Sequence, residues 1–255
     1  MSVTVLLMNY AYCHPEKIEF FEDDEELYDI DVEEDHSFLL EGGYVVHNSA
    51  AGGACDARDR KYQAILPLRG KPLNVNDRSL NTCLANKEIR SIISALGVHV
   101  TPTTVNIDDL RYYKIILLCD ADPDGSHISC LLITLFYKFM RKLIEEGHLY
   151  LCDLPLYRVQ WKGKSKYLKD DAALDEFKEQ HKNVKMEVSR FKGLGEMSVE
   201  ELEETAIDPS MRVLRKVTIE DDNEASDTIE DLMGNNVTPR KKFLNEVLKF
   251  DDGEK

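Results

Sequence analysis

Apolar and polar positions along the chain alternate in blocks that define its elements. Lys114 to Leu118 (KIILL) is a short continuous apolar run, the pattern of a strand buried on both faces of a parallel sheet. It leads into the acidic loop Cys119 to Gly125 (CDADPDG), and the apolar-rich stretch Ser126 to Ile144 then predicts a long helix, closed by Glu145, Glu146 and Gly147. Leu149 to Leu151 predicts a further strand. Strand, loop, helix and strand form a βαβ unit, so the expected class is α/β with a parallel sheet. In such sheets ligands gather at the carboxyl ends of the strands, where the acidic loop lies. Asn86 to Leu96 places Ile89, Ile92, Ile93 and Leu96 on one helical face and stops at Gly97. Met1 to Met8 reads as a strand, and Lys61 to Asn76 as an apolar strand-like stretch followed by a basic turn. Ser49 to Arg60 reads as a glycine-rich loop leading into a helix N-terminus, and 98–109 as loop. Arg190 to Met197 (RFKGLGEM) reads as a second glycine loop ahead of an acidic helix, Ser198 to Thr205.

With 255 residues the chain can form one or two domains with a real core. No apolar run approaches transmembrane length, and Met1 to Met8 lacks the basic start and small-residue cleavage site of a signal peptide. The six cysteines are scattered without C-x-x-C pairs or metal-finger spacing, as reduced cytosolic thiols are. Charge changes the picture more. Residues 1–48 hold thirteen acids and one base, Lys17, so −12 of the net −16 falls there and −4 on the rest. The acidity that argues against a nucleic-acid partner sits mostly in this leader; beyond it, basic clusters are free to meet phosphate. Glu22 to Glu26 (EDDEE) is a solvated turn in isolation, or a steering patch for a basic partner.

Asp120, Asp122 and Asp124 alternate at the end of the buried strand. On spacing alone the D-x-D pattern is a solvated turn or a cation site, whose hard oxygens suit Mg²⁺. An EF-hand requires a bidentate Glu at loop position twelve, which here is Leu131, and a haloacid-dehalogenase-type phosphatase requires D-x-(T/V) after its nucleophile, where Asp122 is followed by Pro123-Asp124. Six words in order, QAILPLRGK (from Gln63), NKEIRSIISALG (from Asn86), LRYYKIILLCDADPDGSHI (from Leu110), RFKGLGEM (from Arg190), DPSMRVL (from Asp208) and MGNNVTPRKKFL (from Met233), resemble the B subunits of DNA gyrase and topoisomerase IV. The resemblance covers essentially all of 49–255 and implies a TOPRIM fold, a parallel-sheet, Rossmann-like domain, with an α+β C-terminal tail. It implies Mg²⁺ held by Asp120 and Asp122 with Asp124 close by or on a second ion, DNA-backbone contacts from Arg69, Lys71 and Lys192, and a nucleophilic Tyr on the topoisomerase A subunit. The family's Glu-Gly-Asp before Ser-Ala-Gly-Gly is missing here, because Asn48 stands directly before Ser49. Cys119 and Pro123 replace a family Thr and Val without touching a carboxylate, and Ser49 to Ala54 carries one extra small residue ahead of its glycines.

His47-Asn48-Ser49 carries different chemistry. An Asn amide can attack its own carbonyl and cut the chain, a following Ser hydroxyl can accept an acyl group, and an adjacent His can carry the proton. Tyr28 to Ser49 (YDIDVEEDHSFLLEGGYVVHNS) resembles the C-terminal end of an intein, a Hint-like β fold, with His36 matching its earlier acid–base block. The two resemblances together imply three parts: 1–48 an intein C-terminal fragment, 49–159 a TOPRIM domain lacking its first strand, and 160–255 the tail. The expected product is a type II topoisomerase completed by trans-splicing, with ATP used by a domain outside this chain. Its expected partners are double-stranded DNA, the topoisomerase A subunit and the N-terminal half of the B subunit carrying the other intein fragment, with no membrane. The expected location is the cytoplasm, of a cell or of a phage's host. The alternatives are a stand-alone Mg²⁺-dependent TOPRIM nuclease and an inactive DNA- or partner-binding scaffold.

Overall fold

The computed structural model describes residues 4–10, 37–40, 44–47, 50–182 and 184–251, with side chains described between 51 and 245. In chain order the elements are β1 (Thr4–Tyr10), β2 (Ser37–Leu40), β3 (Tyr44–His47), α1 (Ala50–Ala57), β4 (Gln63–Arg69), α2 (Leu80–Leu84), α3 (Lys87–Leu96), β5 (His99–Val100) and β6 (Val105–Asn106). There follow β7 (Lys114–Leu118), α4 (Pro123–Phe139), α5 (Arg141–Glu145), β8 (Leu149–Cys152), β9 (Tyr157–Trp161), β10 (Lys164–Leu168), α6 (Asp171–Gln180) and β11 (Glu187–Arg190). Then come α7 (Val199–Leu202), β12 (Leu214–Lys216), α8 (Asp222–Met233) and α9 (Thr238–Asp251). They divide into two compact units, 1–71 with 112–128 and 150–215, and 72–111 with 129–149 and 216–255.

The first unit is built on a five-stranded sheet of order β12-β8-β7-β1-β4. Its class is α/β, as the block pattern predicts. Ile115 to Leu118 in β7 are at most 1 % exposed, because parallel strands are covered on both faces. On one side Ile116 and Leu118 pack with Ala54, Phe191, Leu194, Met197, Leu202 and Ile207. Residues 191–207, the second glycine loop and the helix after it, are thus fastened to the strand that carries the acidic loop. Gln63, buried at the start of β4, is satisfied from both sides: its amide donates to Ile207 O at 2.8 Å and its Oε1 accepts from Asp59 N–H at 2.8 Å. A smaller antiparallel sheet, β10-β9-β11, packs Tyr157, Val159 and Leu168 against Leu174 and Phe177 of α6.

The structure sets β1 inside the sheet. Thr4–Tyr10 pairs in parallel with Gln63–Arg69 on one side, and Thr4–Met8 with Lys114–Leu118 on the other. The sequence implies a TOPRIM sheet missing its first strand; the described sheet holds a leader segment in that position. The alternation-free apolar run VLLM supplies what a doubly flanked strand needs.

Three local expectations shift. Helix α1 begins at Ala50, inside the glycine-rich run expected as loop. Within 98–109 two short strands pair, Val100 opposite Val105. The long helix starts earlier, at Pro123, and breaks at Met140 into α4 and α5. Its early start has a cause in Asp122, described below; nothing in the local sequence marks the break. In the second unit α3 is the helix expected, capped by the Asn86 side chain on Ile89 N–H and ended by Gly97 in the left-handed region. There Lys138 donates to the Val75 carbonyl at 3.0 Å and Asn74 to the Met233 carbonyl at 2.8 Å. Among the described residues no helix is long and apolar enough to cross a membrane.

Candidate metal and DNA site

β7 delivers its carboxyl end into the loop, and each of the three aspartates there meets a different donor. Asp122 Oδ1 accepts the Gly125 N–H at 2.6 Å and its carbonyl accepts from Ser126 N–H at 3.0 Å, so Asp122 is the N-cap of α4. Pro123 is then the first helical residue, a position where the missing N–H costs nothing. This cap is why the helix starts three residues ahead of the apolar pattern. Gly125 is required by close approach: a Cβ there would lie 2.0 Å from the Asp120 carbonyl oxygen.

Asp120 is partly buried, and its Oδ1 accepts the Leu194 N–H at 2.8 Å. Burial raises its carboxyl above the usual carboxylate range; the Leu194 bond opposes this, and the charges of Asp122 and Glu196 add to it. Asp124 is exposed and paired with Lys71 Nζ at 2.6 Å, which with that lysine's charge holds its carboxyl below the usual range. Lys192 is exposed; its backbone N–H donates to Glu196 Oε2 at 2.9 Å and its Nζ lies 3.9 Å from Glu196 Oε1.

Three segments distant in sequence are thereby joined: the acidic loop, the basic turn after β4 that carries Arg69 and Lys71, and the KGLGE loop. Arg69 is exposed at the end of β4, in register with Tyr10 of β1. Among the described residues no three His, Cys, Asp or Glu side chains converge on one point. Asp120 and Asp122 do fit a hard cation, since Mg²⁺ is commonly held by one or two carboxylates with water and substrate phosphate completing its shell. The charges of Asp122 and Glu196, which add to the burial that raises the Asp120 carboxyl, are what such an ion would offset. Asp124 is engaged elsewhere. In the sequence Glu196 belongs only to a DNA-contacting word; its place beside Asp120 depends on the packing of Leu194, 1 % exposed, which in the sequence is one apolar residue between glycines.

The splicing candidates fall differently. His47 ends β3 opposite Ser37 of β2. His36, Asn48 and Ser49 lie outside the described residues.

Two families match the chain in succession, the Toprim domain over residues 45–154 and "DNA gyrase B subunit, carboxyl terminus" over 183–245. The first begins four residues ahead of Ser49. The DNA gyrase B subunit of Thermus thermophilus is 46 % identical over 221 residues, 86 % of this chain and 34 % of that protein. The DNA gyrase B subunit of Mycoplasmoides gallisepticum is 46 % identical over 219 residues, 86 % and 33 % of the two chains. The DNA topoisomerase 4 B subunit of Caulobacter vibrioides is 47 % identical over 215 residues, 84 % and 30 %. The chain thus spans about a third of the length of these curated relatives. With both domains present in this order, the chain is similar to the C-terminal part of the type II DNA topoisomerase B subunits.

Proposed function

We propose that this chain supplies the Mg²⁺-binding DNA cleavage and religation site of an ATP-dependent type II topoisomerase, and is joined to the rest of its B subunit by protein trans-splicing at Asn48/Ser49. The observation that carries the first half is the Asp120–Leu194 hydrogen bond, which holds the acidic loop against the KGLGE loop. Asp120 and Asp122 hold the metal. Asp124 keeps Lys71 beside it, and because an exposed pair is worth little, Lys71 can exchange that carboxylate for a DNA phosphate. Arg69 and Lys192 offer further backbone contacts. Mg²⁺ at this site supplies Lewis-acid stabilisation of charge on the scissile phosphate and leaving 3′ oxygen. The attacking Tyr comes from the topoisomerase A subunit, and ATP is used by the part of the relatives that this chain does not cover. The working location is the cytoplasm, of the cell or of a phage's host.

Splicing rests on the YDIDVEEDHSFLLEGGYVVHNS word and on the chemistry of its end. Ser49 accepts the acyl group of the upstream polypeptide, Asn48 cyclises with help from His47 and His36, and an O-to-N shift leaves a peptide bond. Coexpression with the candidate upstream half, followed by intact mass, tests it: residues 1–48 are lost and the partner's sequence is gained. Asn48→Ala blocks C-terminal cleavage, and full-length ligated product from Ser49→Ala would sink the scheme. The ligated product, mixed with the topoisomerase A subunit, Mg²⁺ and ATP, relaxes supercoiled DNA; undiminished relaxation by an Asp120→Asn/Asp122→Asn product refutes the metal assignment.

One observation favours a second reading. β1, from the leader, occupies the sheet between β4 and β7. A chain that keeps residues 1–48 therefore has a five-stranded sheet of its own, as a stand-alone Mg²⁺-dependent TOPRIM nuclease requires. Plasmid nicking by the purified, unspliced chain with Mg²⁺ alone selects this reading over splicing.

A further inference from the structure

The word NKEIRSIISALG takes no part in the metal loop, yet α3 carries two organised stripes. Ile89, Ile92 and Leu96 are buried. Lys87, Arg90, Ser91 and Ser94, at i, i+3, i+4 and i+7, line an open groove of about 430 Å³ together with Ala95 and Arg111. Arg111 is built into its place. Its backbone N–H donates to the Leu96 carbonyl at 3.0 Å and its Nη1 to the Ser94 carbonyl at 3.4 Å. Its side chain lies over Gly97, where a Cβ would stand 2.9 Å from Nε, so the glycine that caps α3 also admits a guanidinium across the helix's carbonyl end, where a cation is favoured.

Among the described residues no salt bridge ties Lys87 or Arg90 to a carboxylate, and beyond residue 48 the chain carries a net charge of only −4. Glu88, the acid of α3, is off the stripe. Two or three cations with serine hydroxyls between them, set in a concave surface, form a receptor for a polyanion. From Lys87 to Ser94 the helix rises about 10 Å. B-DNA carries one phosphate per strand for every ~3.4 Å of its axis, so a stripe of this length can meet about two neighbouring phosphates of one strand.

We propose that the Lys87/Arg90/Arg111 groove is a second phosphate-backbone contact for duplex DNA, distinct from the Asp120 loop; it rests on the DNA-processing reading given above. Lysine, arginine and serine on phosphates position the duplex without reading its sequence. Anisotropy titrations of labelled duplexes into the purified full chain, over a range of salt, test it. For Lys87→Ala/Arg90→Ala the slope of log K against log[salt] falls in magnitude by about 1.8, about 0.9 for each lost phosphate contact, equally for unrelated sequences. Arg90→Lys keeps the wild-type slope. If the double variant melts like wild type and binds DNA with unchanged slope, the proposal is overturned and the groove is left to an acidic protein partner. Loss of slope by Lys71→Ala/Lys192→Ala in that same experiment leaves the DNA reading standing. Wild-type chain that binds no duplex at low salt overturns both.

Discussion

Glu201→Ala tests whether α7 holds the candidate site together. Glu201 is 7 % exposed and its carboxylate serves two groups. One oxygen pairs with the Arg158 guanidinium, and the other accepts the Ser198 N–H at 2.9 Å, closing a capping box with the Ser198 hydroxyl. Removing one partner of a buried pair costs about 3–5 kcal/mol, because the other charge is left uncompensated. Arg158 retains 28 % side-chain exposure, so the low end, about 3 kcal/mol, applies. Loss of the reciprocal cap adds about 1 kcal/mol. The expected total of about 4 kcal/mol lowers the melting temperature by roughly 10 °C for a chain of this size. Guanidinium unfolding at 25 °C, followed by circular dichroism, measures it. The partner variant Arg158→Met costs about 3 kcal/mol, since it strands the Glu201 charge. Arg158→Met/Glu201→Ala strands no charge and returns to within about 2 kcal/mol of wild type. A Glu201→Ala cost below about 1 kcal/mol, or a double variant as costly as the two singles added, would refute the reasoning. Because α7 and Leu194 share one core cluster, the same variant weakens Mg²⁺ binding without touching a ligand.

Two further outcomes follow from the acidic loop. The Asp120 carboxyl is raised in the folded chain, so the folded state binds its proton more tightly than the unfolded one. Stability is then fully present below the unfolded value, about 3.9, and is lost as pH rises through the folded value. In EDTA at pH 7, Asp120→Asn is therefore more stable than wild type, with the difference vanishing towards pH 4; urea midpoints across that range check it, and a less stable Asn variant at pH 7 contradicts it. Saturating Mg²⁺ raises the wild-type melting temperature and leaves that of Asp120→Asn unmoved. Gly125→Ala sets a methyl 2.0 Å from the Asp120 carbonyl and displaces the loop, costing at least the 1–3 kcal/mol typical of overpacking; an unchanged melting temperature would show the loop to be freer than its geometry implies.

Much of the fold was legible because it depends on local periodicity. KIILL had to be a buried strand, and Asn86 and Gly97 mark both ends of α3 by capping chemistry that acts within four residues. The helix after the acidic loop was legible as a helix but not at its ends. Asp122 reads in the sequence as a solvated turn or a metal carboxylate, and in the structure one of its oxygens caps α4. The candidate site was legible as residues and not as an arrangement. The three aspartates read as a set because they alternate; in the structure Asp124 also pairs with Lys71, fifty-three residues away. Glu196 stands near Asp120 only because Leu194 is buried beneath the loop.

What the sequence by itself determined was the inventory: an α/β βαβ unit, an acidic loop at a strand's end, two basic glycine words, and an Asn-Ser junction with a histidine before it. Those follow from side-chain type and from periods of two and 3.6 residues, which neighbouring positions settle between them. The tertiary structure alone decided which carboxylate meets which donor, and that Thr4–Tyr10 lies between β4 and β7. Such choices turn on partners scores of residues away, competing for the same backbone edge or the same carboxylate oxygen, and that competition is resolved only when the whole chain is folded.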